Sequence, residues 1–118
     1  MSQYILSDWR NDNPEEPFIV MGQIDDGRYL ERIIDVFRDD RTETTVCQSE
    51  SGEALVDITE TPTLQEINDQ DELTARYTSA SLFETTWKEA TNTRRLSPTS
   101  VNNLTQTLHN PDHPTQGA

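Results

Sequence analysis

The chain has a single cysteine, Cys47, among its 118 residues, so no disulfide within it can hold the fold together. A secreted domain of this size would often need one. Basic side chains are also scarce: nine Lys and Arg stand against 22 Asp and Glu, a formal charge of −13. Contact with phosphates depends on Lys and Arg that displace counterions, so the deficit excludes nucleic acid and anionic membrane as direct partners. Glycine is rare, four in all, and none stands in a phosphate-binding loop. No apolar run approaches the ~20 residues that span a bilayer, and the N-terminal residues lack a basic-then-apolar leader. Together these absences predict a soluble protein of a reducing compartment, the cytoplasm. Both histidines, His109 and His113, lie near the C-terminus. Cys47 therefore has no imidazole in the body of the chain to activate it, and it reads as a small buried apolar residue.

What the chain does contain is organised around residues 24–41. Asp26-Gly27 and Asp39-Asp40 are turn signals on either side of a long segment, residues 28–38, rich in Ile, Val, Phe and Tyr. A strand with turns at both ends is the middle of an antiparallel meander, with residues 18–24 before it and residues 42–48 after it. Residues 4–10 alternate and supply a first strand, which Pro14 and Pro17 separate from the second. Phe18, Ile19, Val20 and Met21 are apolar on both faces, which suits a central strand. Gly22 marks a bulge or a close approach. Alternation places Leu30, Arg32, Ile34 and Val36 together on the core side of the pivotal strand.

Later segments change period. Thr63-Leu64-Gln65-Glu66 is a capping box opening a short helix. Leu73, Ala75 and Tyr77 alternate as a brief strand or extended link. Ser79 can cap a second helix whose stripe is Phe83, Trp87 and Ala90, widened by Leu82. After residue 91 the chain is rich in Thr, Asn, Ser, Pro and Gln. Val101, Leu104 and Leu108 have helical spacing and would allow a short docked helix, but the composition predicts a largely disordered polar tail over residues 92–118. The expected fold is α+β: an antiparallel meander of about four strands, one or two helices packed on one face, and a flexible tail behind a single domain of residues 1–91.

Few constellations carry chemistry. His109 and His113 are four apart, but Pro111 and Pro114 break the helix that would align them, and no further ligands complete a metal site. Asp69-Gln70-Asp71 opens like a calcium loop, but Thr74 and Ala80 stand where Gly and Glu are required. No catalytic residue, cofactor site or metal site is expected. The acidic pairs instead suggest a surface. Glu15, Glu16, Asp25, Asp26, Asp39 and Asp40 fall at strand ends, with Trp9 and Phe37 as aromatics that either anchor a partner or cover the sheet's second face. Arg32, in phase with the core, requires a partner such as Asp8 or reaches water at the sheet's edge.

Several stretches resemble, in their order, a family of small uncharacterised bacterial domains: Tyr4 to Trp9, Asn13-Pro14-Glu15-Glu16-Pro17, Ile24-Asp25-Asp26-Gly27-Arg28-Tyr29, Val36-Phe37-Arg38-Asp39 and Pro62-Thr63-Leu64-Gln65-Glu66-Ile67-Asn68. The spacing of Ser79, Phe83 and Trp87 belongs to the same pattern. The family tends to have Trp, Gly and Glu where Tyr29, Asp40 and Leu82 stand. The resemblance implies a single-domain accessory protein, similar to the immunity partners of bacterial toxins, and carries over no site residues.

The reading that follows is a non-enzymatic acidic binding protein, of the immunity or inhibitor type, that neutralises a basic partner such as a toxin or nuclease. Its expected contacts are Trp9, Glu15, Glu16, Asp25, Asp26, Asp39 and Asp40. Two alternatives are a phage-encoded inhibitor that mimics DNA charge, and a small ligand-binding or enzymatic module using Arg32 and Asp8.

Overall fold

The computed structural model describes residues 2–56 and 60–109. Its elements run β1 (Gln3–Trp9), β2 (Ile19–Ile24), β3 (Leu30–Val36), β4 (Thr42–Val46), α1 (Leu64–Asn68), β5 (Leu73–Thr78), α2 (Ala80–Thr93) and α3 (Pro98–His109). The strands form one five-stranded sheet in the order β4-β3-β2-β1-β5, antiparallel at every pairing. The expected meander is therefore present. A fifth strand joins it, because the alternating residues of β5 return to pair with β1.

Strand parity divides the side chains between two faces. Leu6, Ile19, Met21, Ile34 and Val36 meet Phe83 and Ala90 of α2, Leu104 and Leu108 of α3, and Leu96 between those helices. This is the main core. The other face holds a smaller cluster, Ile5, Ile24 and Ala75, against which Leu30 and the α1 residues Leu64 and Ile67 pack. Leu30 thus departs from the expected phase. The β2–β3 register shifts between Gln23 and Ile24, so that Gln23 faces Arg32 but Ile24 faces Leu30, and the extra residue turns Leu30 to the second face. There it sits over Gly22, where a Cβ would lie 2.8 Å from Leu30 Cδ2. That close approach is why glycine stands in a central strand.

The turns are held by side chains. Asp25 Oδ1 accepts from the amides of Gly27 and Tyr29, each at 2.9 Å. The left-handed residue of this turn is Arg28 (φ 71°) rather than Gly27. Its guanidinium is bonded to the carbonyls of Thr61 and Pro62, which ties the turn to the start of α1. The Thr63 capping box forms as expected, with both reciprocal bonds present, and the Thr63 amide holds the Glu66 carboxyl below its usual range. Because α1 has only five residues and little intrinsic stability, Thr63→Ala will lower stability by about 1 kcal/mol. A urea midpoint that falls without a change in slope checks this.

The C-terminal expectation needs correction. Residues 98–109 are helical, and the three spaced apolars Val101, Leu104 and Leu108 all reach the main core. Arg76 Nη1 donates to the Thr107 carbonyl at 2.7 Å, fastening α3 to β5. The helical spacing outweighs the polar composition here because the helix docks on an apolar surface already exposed by the sheet. Residues 110–118, the rest of the expected tail, lie outside the described residues.

Candidate partner-binding face

The longest described helices, α2 and α3, cover one face of the sheet, and the short α1 packs on the other. Across the middle of that second face runs the row Ala75, Ser7, Val20, Asp35 and Glu43, one residue from each strand. Trp9 stands beside this row on the same side of β1 as Ser7. Its indole Nε1 donates to Ser7 Oγ at 3.2 Å, and Ser7 Oγ donates to the Val20 carbonyl at 3.0 Å. The indole is held by that bond while 40% of Trp9 stays exposed. Phe37 is buried and stacks under the Arg41 guanidinium, so of the two aromatics only Trp9 is presented.

Asp35 is the unusual group. Its carboxyl is half-buried, faces Glu43 across β3–β4, and accepts no hydrogen bond from any described residue. Burial pushes its pKa up to about 6, reinforced by the charges of Glu43 and Glu16. Three carboxylates therefore converge with no compensating cation among the described residues. The loop that carries Glu16 is preorganised. Asn13 Oδ1 accepts from the Glu15 amide, the Glu16 amide donates to the Asn13 carbonyl, and Arg38 bonds Asn11 and Asn13. Arg38 thus stitches this loop to the turn at residues 37–41, so Glu15 and Glu16 do lie at the same end of the sheet as Asp39 and Asp40.

The remaining expected contacts divide. Glu15 and Glu16 are exposed and make no side-chain bond to a described residue. Asp25, at the opposite end, spends Oδ1 on its turn and Oδ2 on Gln48 (3.1 Å). Those bonds, that from the Tyr29 amide first and that from Gln48 second, hold its carboxyl below the usual range. Asp26 shares that turn. Asp39 Oδ1 accepts from the Arg41 amide, and Asp40 is left-handed (φ 70°) with its carbonyl bonded to the Leu96 amide. Asp25 and the Asp39-Asp40 pair therefore shape the ends of the meander. Around Asp35, the acids that do no such work among the described residues are Glu15, Glu16 and Glu43, and Asp35 itself does none. The residues missed from sequence are Asp35 and Glu43. The available signal was an acid lodged between the apolar residues Ile33, Ile34, Val36 and Phe37.

The alternative pocket of Arg32 and Asp8 does not form. Arg32 lies beside Gln23, Asp8 beside Ile19, at opposite ends of the sheet. Arg32 pairs with Glu84 and lies over the rings of Phe83 and Trp87 at 4.9 and 4.8 Å. Asp8 instead meets His109 at 3.3 Å and Arg10 at 3.6 Å. Among the described residues, no group of three or more His, Cys, Asp or Glu side chains could hold a metal ion, and His113 lies outside them. No described helix is long and apolar enough to cross a membrane.

These features define a small α+β domain whose sheet has one face covered by α2 and α3 and one face covered in part by α1 that carries Asp35 and Glu43. By sequence the chain belongs to a family described as a domain of unknown function, DUF6881, which matches residues 3–92. No curated protein and no solved structure matches it.

Proposed function

We propose that this is a binding protein of the immunity or inhibitor kind, and that it seats a basic segment of a toxin or nuclease on the open face of its sheet, in the bacterial cytoplasm. The observation that carries this reading is the convergence of Glu16, Asp35 and Glu43 on the face that also exposes Trp9, with no cation among the described residues paired to them. Leaving like charges together costs stability, and a partner's Lys or Arg would remove that cost on binding. Trp9 supplies the aromatic surface next to the charge that binding sites concentrate. The net charge of −13 would draw a basic partner from a distance.

The test is a pull-down from the source cell's lysate with the wild type and with the triple variant Glu16→Gln/Asp35→Asn/Glu43→Gln, each eluted by a salt gradient. The expected result is a basic protein released from the wild type only at high salt, and from the variant by about 150 mM, since exposed charge pairs are screened within about 8 Å at that ionic strength. Equal retention by both, or no basic protein on the wild type, overturns the reading.

A further inference from the structure

The two edges of the sheet are treated differently. At β5 the side chain of Asn68, the last residue of α1, lies against Ala75. Its Nδ2 donates to the Ala75 carbonyl at 2.9 Å and its Oδ1 accepts from the Ala75 amide at 2.7 Å. That amide reproduces the bond pair a neighbouring strand would make, and so closes the edge at its middle. At β4 the cover is partial: residues 94–96 pair with the start of the strand through the Arg41–Arg95 bridge, and beyond Thr42 no such cover exists among the described residues. The β3–β4 ladder turns the backbone of Arg41 and Cys47 toward β3, since the Arg41 carbonyl accepts from Phe37 and the Cys47 amide donates to Glu31. Alternation then turns the backbone of Thr42, Thr44 and Val46 outward. The Thr42 amide is used, donating to the Arg94 carbonyl at 3.0 Å. The outward amide and carbonyl of Thr44 and the amide of Val46 have no partner among the described residues.

This open stretch borders a groove of about 760 Å³ between β4 and the C-terminal half of α2. It is lined along the strand by residues 41–45, and on the helix by Ala90, Thr91 and Arg94. Val46 is 46% exposed at the same edge. Thr42, only 5% exposed, lines the groove and has a hydroxyl without a hydrogen-bond partner. Arg41 and Arg94 are two of just nine basic side chains in a chain with 22 acids, and Glu43 is the one acid among the lining residues. The charge balance of the groove is thus opposite to that of the molecule.

We propose that the β4 edge is a strand-addition site for an extended segment of another protein, with β-branched residues along the strand and an Asp or Glu at the end that reaches Arg41 and Arg94. The segment adds a sixth strand: its backbone pairs with Thr44 and Val46, its alternate side chains enter the groove, and its carboxylate meets the guanidinium groups. A second copy of this chain is a poor occupant. Pairing β4 with itself about Thr44 would bring the Asp35 and Glu43 carboxylates of two chains, each of charge −13, onto one face. The site shares Glu43 with the acidic face but rests on the backbone edge of β4, and it stands whether or not that reading holds.

The test begins with a phage-displayed library of random octapeptides panned on the full chain. Enriched peptides are then titrated into 15N-labelled protein. The expected result is enrichment of alternating β-branched sequences bearing Asp or Glu, with amide shifts centred on Thr44, Val46 and Arg94. Thr44→Pro removes the outward amide and should weaken binding at least tenfold. Arg94→Gly removes the charge at a left-handed helix cap (φ 58°) where glycine is favoured, so its fold is secure, and it should also weaken binding at least tenfold. No enrichment, enrichment of Lys and Arg, shifts confined to the face of Trp9 and Asp35, or unchanged affinity in Arg94→Gly overturns the proposal. So does a sedimentation profile showing that free chains already pair.

Discussion

Leu104→Ala will destabilise the protein by about 3 kcal/mol, the usual cost of a cavity left by a fully buried leucine. Leu104 is 0% exposed and sits in α3 among the main-core residues of the sheet and α2. The effect is informative because α3 lies beyond residue 92, where the family match ends. If the matched segment were self-sufficient, α3 would be an appendage and the substitution would cost little. The structure instead gives the core Leu96, Leu104 and Leu108 from beyond that boundary. Urea unfolding of Leu104→Ala should show a lower midpoint with an unchanged slope. A chain ending at Thr93 should lose its cooperative transition, because it leaves Leu6, Ile34 and Phe83 without part of their cover. A variant within 0.5 kcal/mol of the wild type, roughly the range of surface substitutions, would show that α3 does not contribute to the core.

What the sequence made legible is local. The strands around Asp26-Gly27 and Asp39-Asp40, the Thr63 capping box and the Phe83-Trp87-Ala90 stripe each depend on residues within a few positions of one another. All of them form. The misplaced phase of Leu30 shows where alternation fails, since one bulged residue reverses the face of everything before it. The helix at residues 98–109 was signalled by three apolar residues and outvoted by its Thr and Asn content. Its stability comes from docking, which composition does not report.

The candidate site was legible in part. Glu15 and Glu16 are readable as exposed groups at a strand end, whereas the sequence leaves open whether Trp9 is presented or covers the sheet. Asp25 and Asp39 have the same residue type and similar settings, yet their oxygens bond backbone amides of their own turns, a competition that short acids are prone to. Asp35 and Glu43 became neighbours only through the β3–β4 register, and Glu16 joined them only through the loop that Arg38 holds. None of these proximities is a sequence spacing.

Asp35→Asn will make the free protein more stable at neutral pH, which follows from the sign of its displacement. The native carboxyl titrates near 6, above the value of about 4 expected in the unfolded chain. Between those values the native state holds more protons than the unfolded state, so stability is greatest below about pH 4 and falls as pH rises to about 6. The full displacement corresponds to roughly 3 kcal/mol. Asp35 is partly open to solvent, and screening reduces the expected effect to about 1–2 kcal/mol. Asparagine keeps the shape and removes the charge. Thermal melts should therefore place Asp35→Asn a few degrees above the wild type at pH 7.5, and the two should converge by about pH 4. Taking the difference between them cancels the titration of the other carboxylates. A variant less stable than the wild type at pH 7.5 would mean that Asp35 holds a structural partner, and would remove the basis for an unneutralised site. The same linkage fixes how binding depends on pH. A partner's cation requires Asp35 to be ionised, so wild-type affinity should rise between about pH 5 and 7 as the proton leaves, and Asp35→Asn should bind more weakly with that rise abolished. A group that destabilises the free protein and strengthens the complex is the signature of a binding residue retained at the expense of stability.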